Sequence, residues 1–253
     1  MAEASALPAG FRREVFESLP STNSAAFAGA RDGAMTGLWV TAVEQTAGRG
    51  RRGRPWESAA GNLAASLLLI DPAPPEAVAT ISFVAGIALH QAVIDLAGPS
   101  ASERLKLKWP NDLLLDRLKV AGISVEGDKL ASGRLAVVVG IGVNCRTHPV
   151  TGTLYPATDL TARGAAVAAE DLFLRLAARM AEELARWDRG TNFAQIRRAW
   201  LARSLGLGEP VRVNLNTRTI DGRFVTLDEG GRLVLTRDDG GRETISAGDV
   251  FFG

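Results

Sequence analysis

Gly48-Arg49-Gly50-Arg51-Arg52-Gly53-Arg54 sets four arginines within six residues and interleaves them with glycine. A guanidinium carries a permanent charge and a planar donor fork that matches phosphate or carboxylate. Glycine lets the intervening backbone reach conformations closed to other residues and come close to a ligand. That combination suits closure over an anion. A second segment, Lys108-Trp109-Pro110-Asn111-Asp112, puts a cation, an amide and a carboxylate within five residues. In a cleft, Lys108 would meet phosphate, while Asn111 and Asp112 would hold a polar ligand group or a metal. Taken alone, Asn-Asp at a strand end reads more simply as a turn. Lys119 opens the apolar run Val120-Ala121-Gly122-Ile123, and Gly122 inside a strand marks close approach of a ligand or another backbone. Such a lysine is either an edge charge or, sharing a hairpin with Asp112, a group that stabilises charge developing on a carboxylate–phosphate adduct.

Three readings of the arginine segment stay open on its residues. Literally it matches G-x-G-x-x-G, a dinucleotide fingerprint that must end a strand and open a helix. Trp39-Val40-Thr41-Ala42-Val43 reads as the preceding strand, but Pro55-Trp56 and a strand-like stretch over 62–70 follow. No helix start is there to receive a pyrophosphate. A basic nucleic-acid tract is the second reading, and a solvated turn is the third. Glycine beside every pair of charges, with Gln45 and Trp56 flanking, favours a loop that orders on its ligand.

The elements that must position these groups follow from pattern. Residues 1–10 read as a loose end, and a short strand follows over 13–18. Ser21-Thr22-Asn23 supplies helix-capping side chains ahead of 25–30. Residues 76–96 carry apolar groups at near-helical spacing between Pro74-Pro75 and Gly98-Pro99, which predicts one long buried helix. Strands are expected over 105–109, 113–115, 120–126 and 135–143, with a tight turn at Asp116-Arg117, and so closely joined they must be antiparallel. Residues 171–187 and 193–205 read as helices, the first with Leu172, Leu176, Met180, Leu184 and Trp187 on one stripe. From Pro210 the chain alternates between short apolar runs and glycine-rich turns, enough for four or five strands of a small barrel leaning on its neighbour.

At 253 residues the chain can hold one large domain and one small one. The net charge of +1 makes the arginine loop a local feature, which weakens the nucleic-acid reading. Cys145 is the chain's single cysteine, so no internal disulfide forms, as suits a reducing cytosol. No signal-type N-terminus and no uninterrupted apolar run of membrane-spanning length is evident, so a cytoplasmic protein that does not bind membranes is expected.

In this order and spacing the segments resemble one family, the biotin–protein ligases. The arginine loop over 48–53, Lys108 to Asp112 and Lys119 to Ile123 carry the resemblance. Ser21-Thr22-Asn23, Gln45 and Gly140-Ile141-Gly142-Val143-Asn144 fall where the family's pattern has them. The resemblance runs from about residue 12 to the end and is to the short form without the N-terminal DNA-binding domain. Nothing before residue 12 could form a helix-turn-helix, so a repressor role is not expected.

The resemblance implies an α+β fold: a mixed, largely antiparallel sheet with packed helices, of the class II aminoacyl-tRNA synthetase-like, biotin–lipoate ligase type. A catalytic domain over 1–207 is followed by a Src-homology-3-like β-barrel over 208–253. It implies ATP, biotin and Mg²⁺ as small molecules, and a biotin carboxyl carrier domain of a biotin-dependent carboxylase as partner. Monomer and homodimer both stay open, as do the metal ligands. Carried over by position, Ser21, Thr22, Asn23 and Gln45 hold the biotin ring end, with Gly122 beside them. Arg49, Gly50 and Arg51 close over biotin and the adenylate phosphate. Arg54, Trp56, Lys108, Asn111 and Asn144 serve the nucleotide. Lys119 contacts the reacting carboxylate and phosphate, and Asp112 orients the carrier lysine, which makes Lys119, Asp112 and Arg51 the catalytic set. The residues themselves support Arg49, Arg51 and Lys119 independently; for Ser21 and Asn144 a helix cap and a strand-end turn serve as well. A lipoate or octanoate ligase or transferase is the alternative, with Cys145 a poor nucleophile for want of a nearby histidine. A nucleic-acid-binding module comes third.

Overall fold

The computed structural model describes residues 6–215 and 217–252, so part of the expected loose end, residues 1–5, lies outside the described residues. The chain opens with β1 (Arg12–Leu19), α1 (Thr22–Arg31), β2 (Leu38–Gln45) and β3 (Leu63–Ile70). Then come α2 (Pro75–Val78), α3 (Ile81–Ala97), β4 (Leu105–Lys108), β5 (Asp112–Leu115), β6 (Leu118–Lys129) and β7 (Leu135–Val143). Two helices, α4 (Ala169–Trp187) and α5 (Phe193–Leu201), lead into β8 (Pro210–Asn214), β9 (Thr219–Leu227), β10 (Leu233–Thr236), β11 (Arg242–Ile245) and β12 (Asp249–Phe252).

Seven strands form one sheet in the order β1-β2-β3-β7-β6-β5-β4. Only β1 and β2 pair in parallel, because α1 carries the chain back between them; the other neighbours are antiparallel. The sheet is covered on both faces, and β3 shows it residue by residue. Leu63, Ala65, Leu67 and Leu69 join the core under α3 and α4, while Leu68 and Ile70 join Ala26, Phe27 and Ala30 of α1 on the other side. That is the period of two expected of a strand buried on both faces. Asp116 and Arg117 both take positive φ, 52° and 63°, the backbone of a tight two-residue hairpin.

Two expectations are corrected here. The single helix over 76–96 is broken at Ala79–Thr80, where the Thr80 hydroxyl donates to the carbonyl of Ala77 at 2.6 Å and accepts from Trp187 Nε1 at 2.9 Å. By length and composition Pro75–Ala97 does reach membrane-spanning character, with a mean hydropathy of 1.8. Its apolar residues are explained by burial: Ile81, Val84, Ile87, Leu89 and Val93 are fully enclosed between the sheet and α4. In addition, α5 stops at Leu201, short of the expected 205.

The last five strands form a second, antiparallel sheet in the order β11-β10-β9-β8-β12, an open barrel of Src-homology-3-like type. Its Val211, Phe224, Leu233 and Leu235 are continuous with the main core. Trp109 Nε1 donates to the Gly231 carbonyl at 3.0 Å, tying the β4–β5 turn to the barrel. The barrel thereby brings β12 to the edge of the arginine loop.

Candidate active site

A cavity of about 370 Å³ lies between the middle of the seven-stranded sheet, the N-terminus of α1, the arginine loop and β12. Every residue to which the resemblance gives a biotin, nucleotide or catalytic role lines it, from Ser21 to Asn144, whereas Arg52, Trp109 and Cys145 do not. Its floor is made by absence of side chains. Gly122 and Gly142 are register partners on β6 and β7, and the Trp56 indole lies against them: a Cβ on Gly142 would sit 2.4 Å from the ring. A Cβ on Gly140 would sit 2.3 Å from Asn23 Oδ1. Larger residues here would fill the cavity or displace what packs on it.

One end is a network of polar groups, uncharged apart from Glu126. Ser21 caps α1, its hydroxyl accepting from the Ser24 amide at 3.5 Å. Gln45, at the end of β2, accepts at Oε1 from the Thr22 amide (2.8 Å) and hydroxyl (3.0 Å) and donates to Ser58. Asn23 donates to Glu126 Oε1 at 2.5 Å and to Ser124 Oγ at 3.1 Å. Beneath them, fully buried Ser66 places its hydroxyl 2.7 Å from Thr22 Oγ1 and 2.6 Å from Asn23 Oδ1. Such mutually supporting bonds fix donors and acceptors in place before any ligand arrives.

The other end is ionic. Asp112 begins β5, between Lys108 on β4 and Lys119 on β6, and its two oxygens lie 3.2 Å and 2.6 Å from their ammonium groups. Burial pushes the Asp112 carboxyl up, but the Lys119 and Lys108 charges outweigh it and hold the group at about 2. Burial pushes the Lys108 ammonium below its ordinary range, with Asp112 opposing. Tyr155 covers Lys108, its ring centroid 4.7 Å from Nζ, and Lys119 Nζ lies 5.6 Å from the Trp56 ring. An excess of positive charge therefore faces the cavity from the sheet.

The arginine loop closes the opposite wall. It contains a single 3-10 turn, Arg51–Gly53, and is followed by β3, which pairs antiparallel with β2. Without a helix, the dinucleotide-fingerprint reading fails. Arg51 donates to Asn111 Oδ1 at 2.9 Å, and burial pushes its guanidinium below the ordinary value. Asn111 in turn donates to the Ile123 carbonyl at 2.5 Å. Arg49 reaches Ser24 Oγ at 3.0 Å, and Arg54 reaches Asp249 at 2.5 Å. Asn144 donates from its side-chain amide to the Thr158 carbonyl at 3.1 Å.

Several groups at the site had no sequence signal of their own. Ser124, which lines the cavity, and Glu126, which accepts from Asn23 behind it, sit on an ordinary-looking strand, while Asp249 and Phe251 come from the barrel. Tyr155 had one: it is the chain's single tyrosine. Among the described residues no cluster of three or more metal-ligating side chains is present, and both Asp112 oxygens are already engaged by lysines. The residues do not make a protein cage for Mg²⁺, an ion that commonly rides on substrate phosphates.

Comparison with known proteins agrees with this geometry. Residues 15–144 match the Biotin/lipoate A/B protein ligase family, and residues 206–253 match the Biotin protein ligase C terminal domain. The chain is 44% identical to a biotin–[acetyl-CoA-carboxylase] ligase of Paracoccus denitrificans over 85% of this chain and 90% of that one. It is 37% identical to the ligase of the same description from Mycobacterium tuberculosis, over 95% of this chain and 89% of that one. The biotin protein ligase of Aquifex aeolicus, solved with biotin and ATP, superposes with a TM-score of 0.77 at 26% identity, covering 95% of this chain and 97% of the other. With matching sequence over most of its length, the same fold and a cavity polar at one end and cationic at the other, the chain belongs to the biotin protein ligase family.

Proposed function

We propose that this cavity joins biotin to ATP as biotinyl-5′-AMP and then passes the biotinyl group to a lysine of a biotin carboxyl carrier domain. ATP-dependent biotinylation is the activity of this chain; the roles of its residues and the identity of its partner are the proposal. A biotin-dependent carboxylase would supply the carrier, and a cytoplasmic setting goes with that reading. The catalytic unit over 1–207 and the barrel over 208–253 would share the work.

The first step forms a bond between a biotin carboxylate oxygen and the α-phosphorus of ATP while the bond to diphosphate breaks. Carboxylate and triphosphate repel, so cations must bring them together and stabilise the charge gathered at phosphorus. Lys119 and Lys108 from the sheet and Arg49, Arg51 and Arg54 from the loop face that position. Mg²⁺ would travel on the phosphates. In the second step the carrier ammonium first gives a proton to solvent, the neutral amine attacks the acyl carbon, AMP leaves with the bonding pair, and the nitrogen's second proton also passes to water. Asp112 is too weak a base to take that proton at neutral pH; it would orient the incoming ammonium by exchanging it for one of its present partners.

The carrying observation is the clasp of Asp112 by Lys108 and Lys119, opposite the arginine loop. At the far end, Thr22, Asn23, Gln45 and Ser124 offer the donors and acceptors that a cyclic urea needs. The dithiolane ring of lipoate has no comparable groups, and polar side chains left unmatched would count against it. With Arg51 bonded to Asn111 and Arg54 to Asp249, the loop does not present a free basic stripe to nucleic acid. The test is incubation with ATP, Mg²⁺ and either biotin or lipoate, followed by detection of the acyl-adenylate. Biotinyl-adenylate is expected; lipoyl-adenylate alone, or neither product, would overturn the reading.

A further inference from the structure

Arg52 and Arg54 both reach the same carboxylate, Asp249, at 3.2 and 2.5 Å. Asp249 is the first residue of β12 and lies 195 positions along the chain from Arg54, so the bridge fastens the arginine loop to the barrel. Arg52 also takes φ 57°, and Gly53 follows at φ 70°. A side chain in the left-handed region is unfavourable unless its surroundings hold it there. Asp249 supplies that hold, with a side chain only 19% exposed and therefore incompletely screened by solvent. The consequence reaches the neighbouring residue: the turn so fixed directs Arg51 at Asn111 and into the cavity.

We propose that Asp249 is a positioning residue of this reaction, gripping Arg52 and Arg54 so that the turn between them keeps Arg51 closed over the acyl-adenylate. This deepens the function proposed above and rests on it for the identity of the intermediate. The barrel is thus part of the lid, and the grip is electrostatic: a negative group at 249 is required, and its exact length is not.

Two measurements test it on the full-length protein. Limited trypsinolysis of the unliganded chain should cut within 49–54 roughly tenfold faster in Asp249→Asn, because local opening exposes the loop. Biotinyl-AMP formed in place should dissociate roughly tenfold faster from the same variant. Asp249→Glu should restore both rates to near the parental values, a rescue that a packing role would not show. Near 1 M salt, where the screening length falls to about 3 Å, the parent's cleavage rate should approach that of the variant. Arg52→Gln, acting from the other side of the bridge, should raise the dissociation rate in the same direction and covers the case in which Asp249→Asn fails to fold. Parental rates in Asp249→Asn, or an Asp249→Glu protein as leaky as Asp249→Asn, would overturn the proposal. If the parent forms no adenylate, the function falls, while the trypsin experiment still decides whether Asp249 holds the loop.

Discussion

The Trp56 indole rests on Gly142, so closely that a Cβ there would come within 2.4 Å of its Cε2 and Nε1. Across the ladder Gly122 supports the same ring, a Cβ there lying 3.2 Å from Cζ3. The paired glycines make a shallow slot in the sheet about one side chain deep. The loop that carries four arginines is therefore docked by an aromatic ring on bare backbone, and whatever moves the ring moves the arginines.

Gly142→Ala tests that docking. The added methyl forces the indole off the sheet, which costs little stability because the loop can shift. It should weaken biotin binding by roughly tenfold, or about 1.4 kcal/mol. Calorimetric titration with biotin reads the change directly, and a parental affinity would refute the slot.

How much of this was legible in the sequence depends on distance along the chain. The arginine loop could be read because it is a short continuous run whose composition departs from an ordinary turn; Lys108 to Asp112 taken alone reads as a turn, and only its order and spacing with Lys119 to Ile123 and the loop pointed to a site. β7 and the Asp116-Arg117 hairpin were readable because a continuous run rich in β-branched residues and turn chemistry are both local signals. The break at Thr80 was not, because it depends on a hydrogen bond from Trp187, more than a hundred residues away. Ser66 is one hydroxyl within the buried strand LAASLLLI, and its meaning comes from Thr22 and Asn23 on a different element. The pairing of Arg54 with Asp249 likewise exists only after the barrel has packed.

Lys119→Ala should slow adenylate formation by roughly 10²–10³, equivalent to about 3–4 kcal/mol of lost transition-state stabilisation. Single-turnover quenched-flow measurement separates this step from carrier transfer. Unchanged single-turnover rates would remove Lys119 from the reacting centre.

Arg51→Ala addresses retention of the intermediate. Its guanidinium spans from the loop to Asn111, closing the cavity on the side away from the sheet. Truncation should raise the release of biotinyl-AMP roughly tenfold, since losses of contact fall mainly on the dissociation rate. A filtration assay for free adenylate during turnover without carrier would detect it; a variant holding the adenylate as firmly as the parent contradicts the lid.

Asp112 makes stability depend on acid. In the folded chain it loses its proton at about 2, against about 3.9 for a free aspartate. The unfolded chain therefore takes up the proton first as pH falls. Stabilisation is complete above about pH 4, is lost on descent through about pH 2, and amounts to roughly 2–3 kcal/mol. Urea unfolding of parent and Asp112→Asn should show a stability gap at neutral pH that narrows across that window. A gap independent of pH would mean that the carboxylate is not clasped as described.

Cys145 separates direct adenylate chemistry from a thioester route. It is 1% exposed, and burial pushes its thiol up to about 12, so thiolate is essentially absent at neutral pH. A thiol in that state cannot compete with the carrier amine for the acyl group. Cys145→Ala should therefore retain the rate of biotin transfer to within about twofold, less than 0.5 kcal/mol of barrier. The parental thiol should resist a disulfide reagent until the protein is unfolded. Recovery of biotin covalently bound to Cys145 during turnover, seen as a mass shift on its peptide, would instead place the chain among transferases that work through an acyl-enzyme.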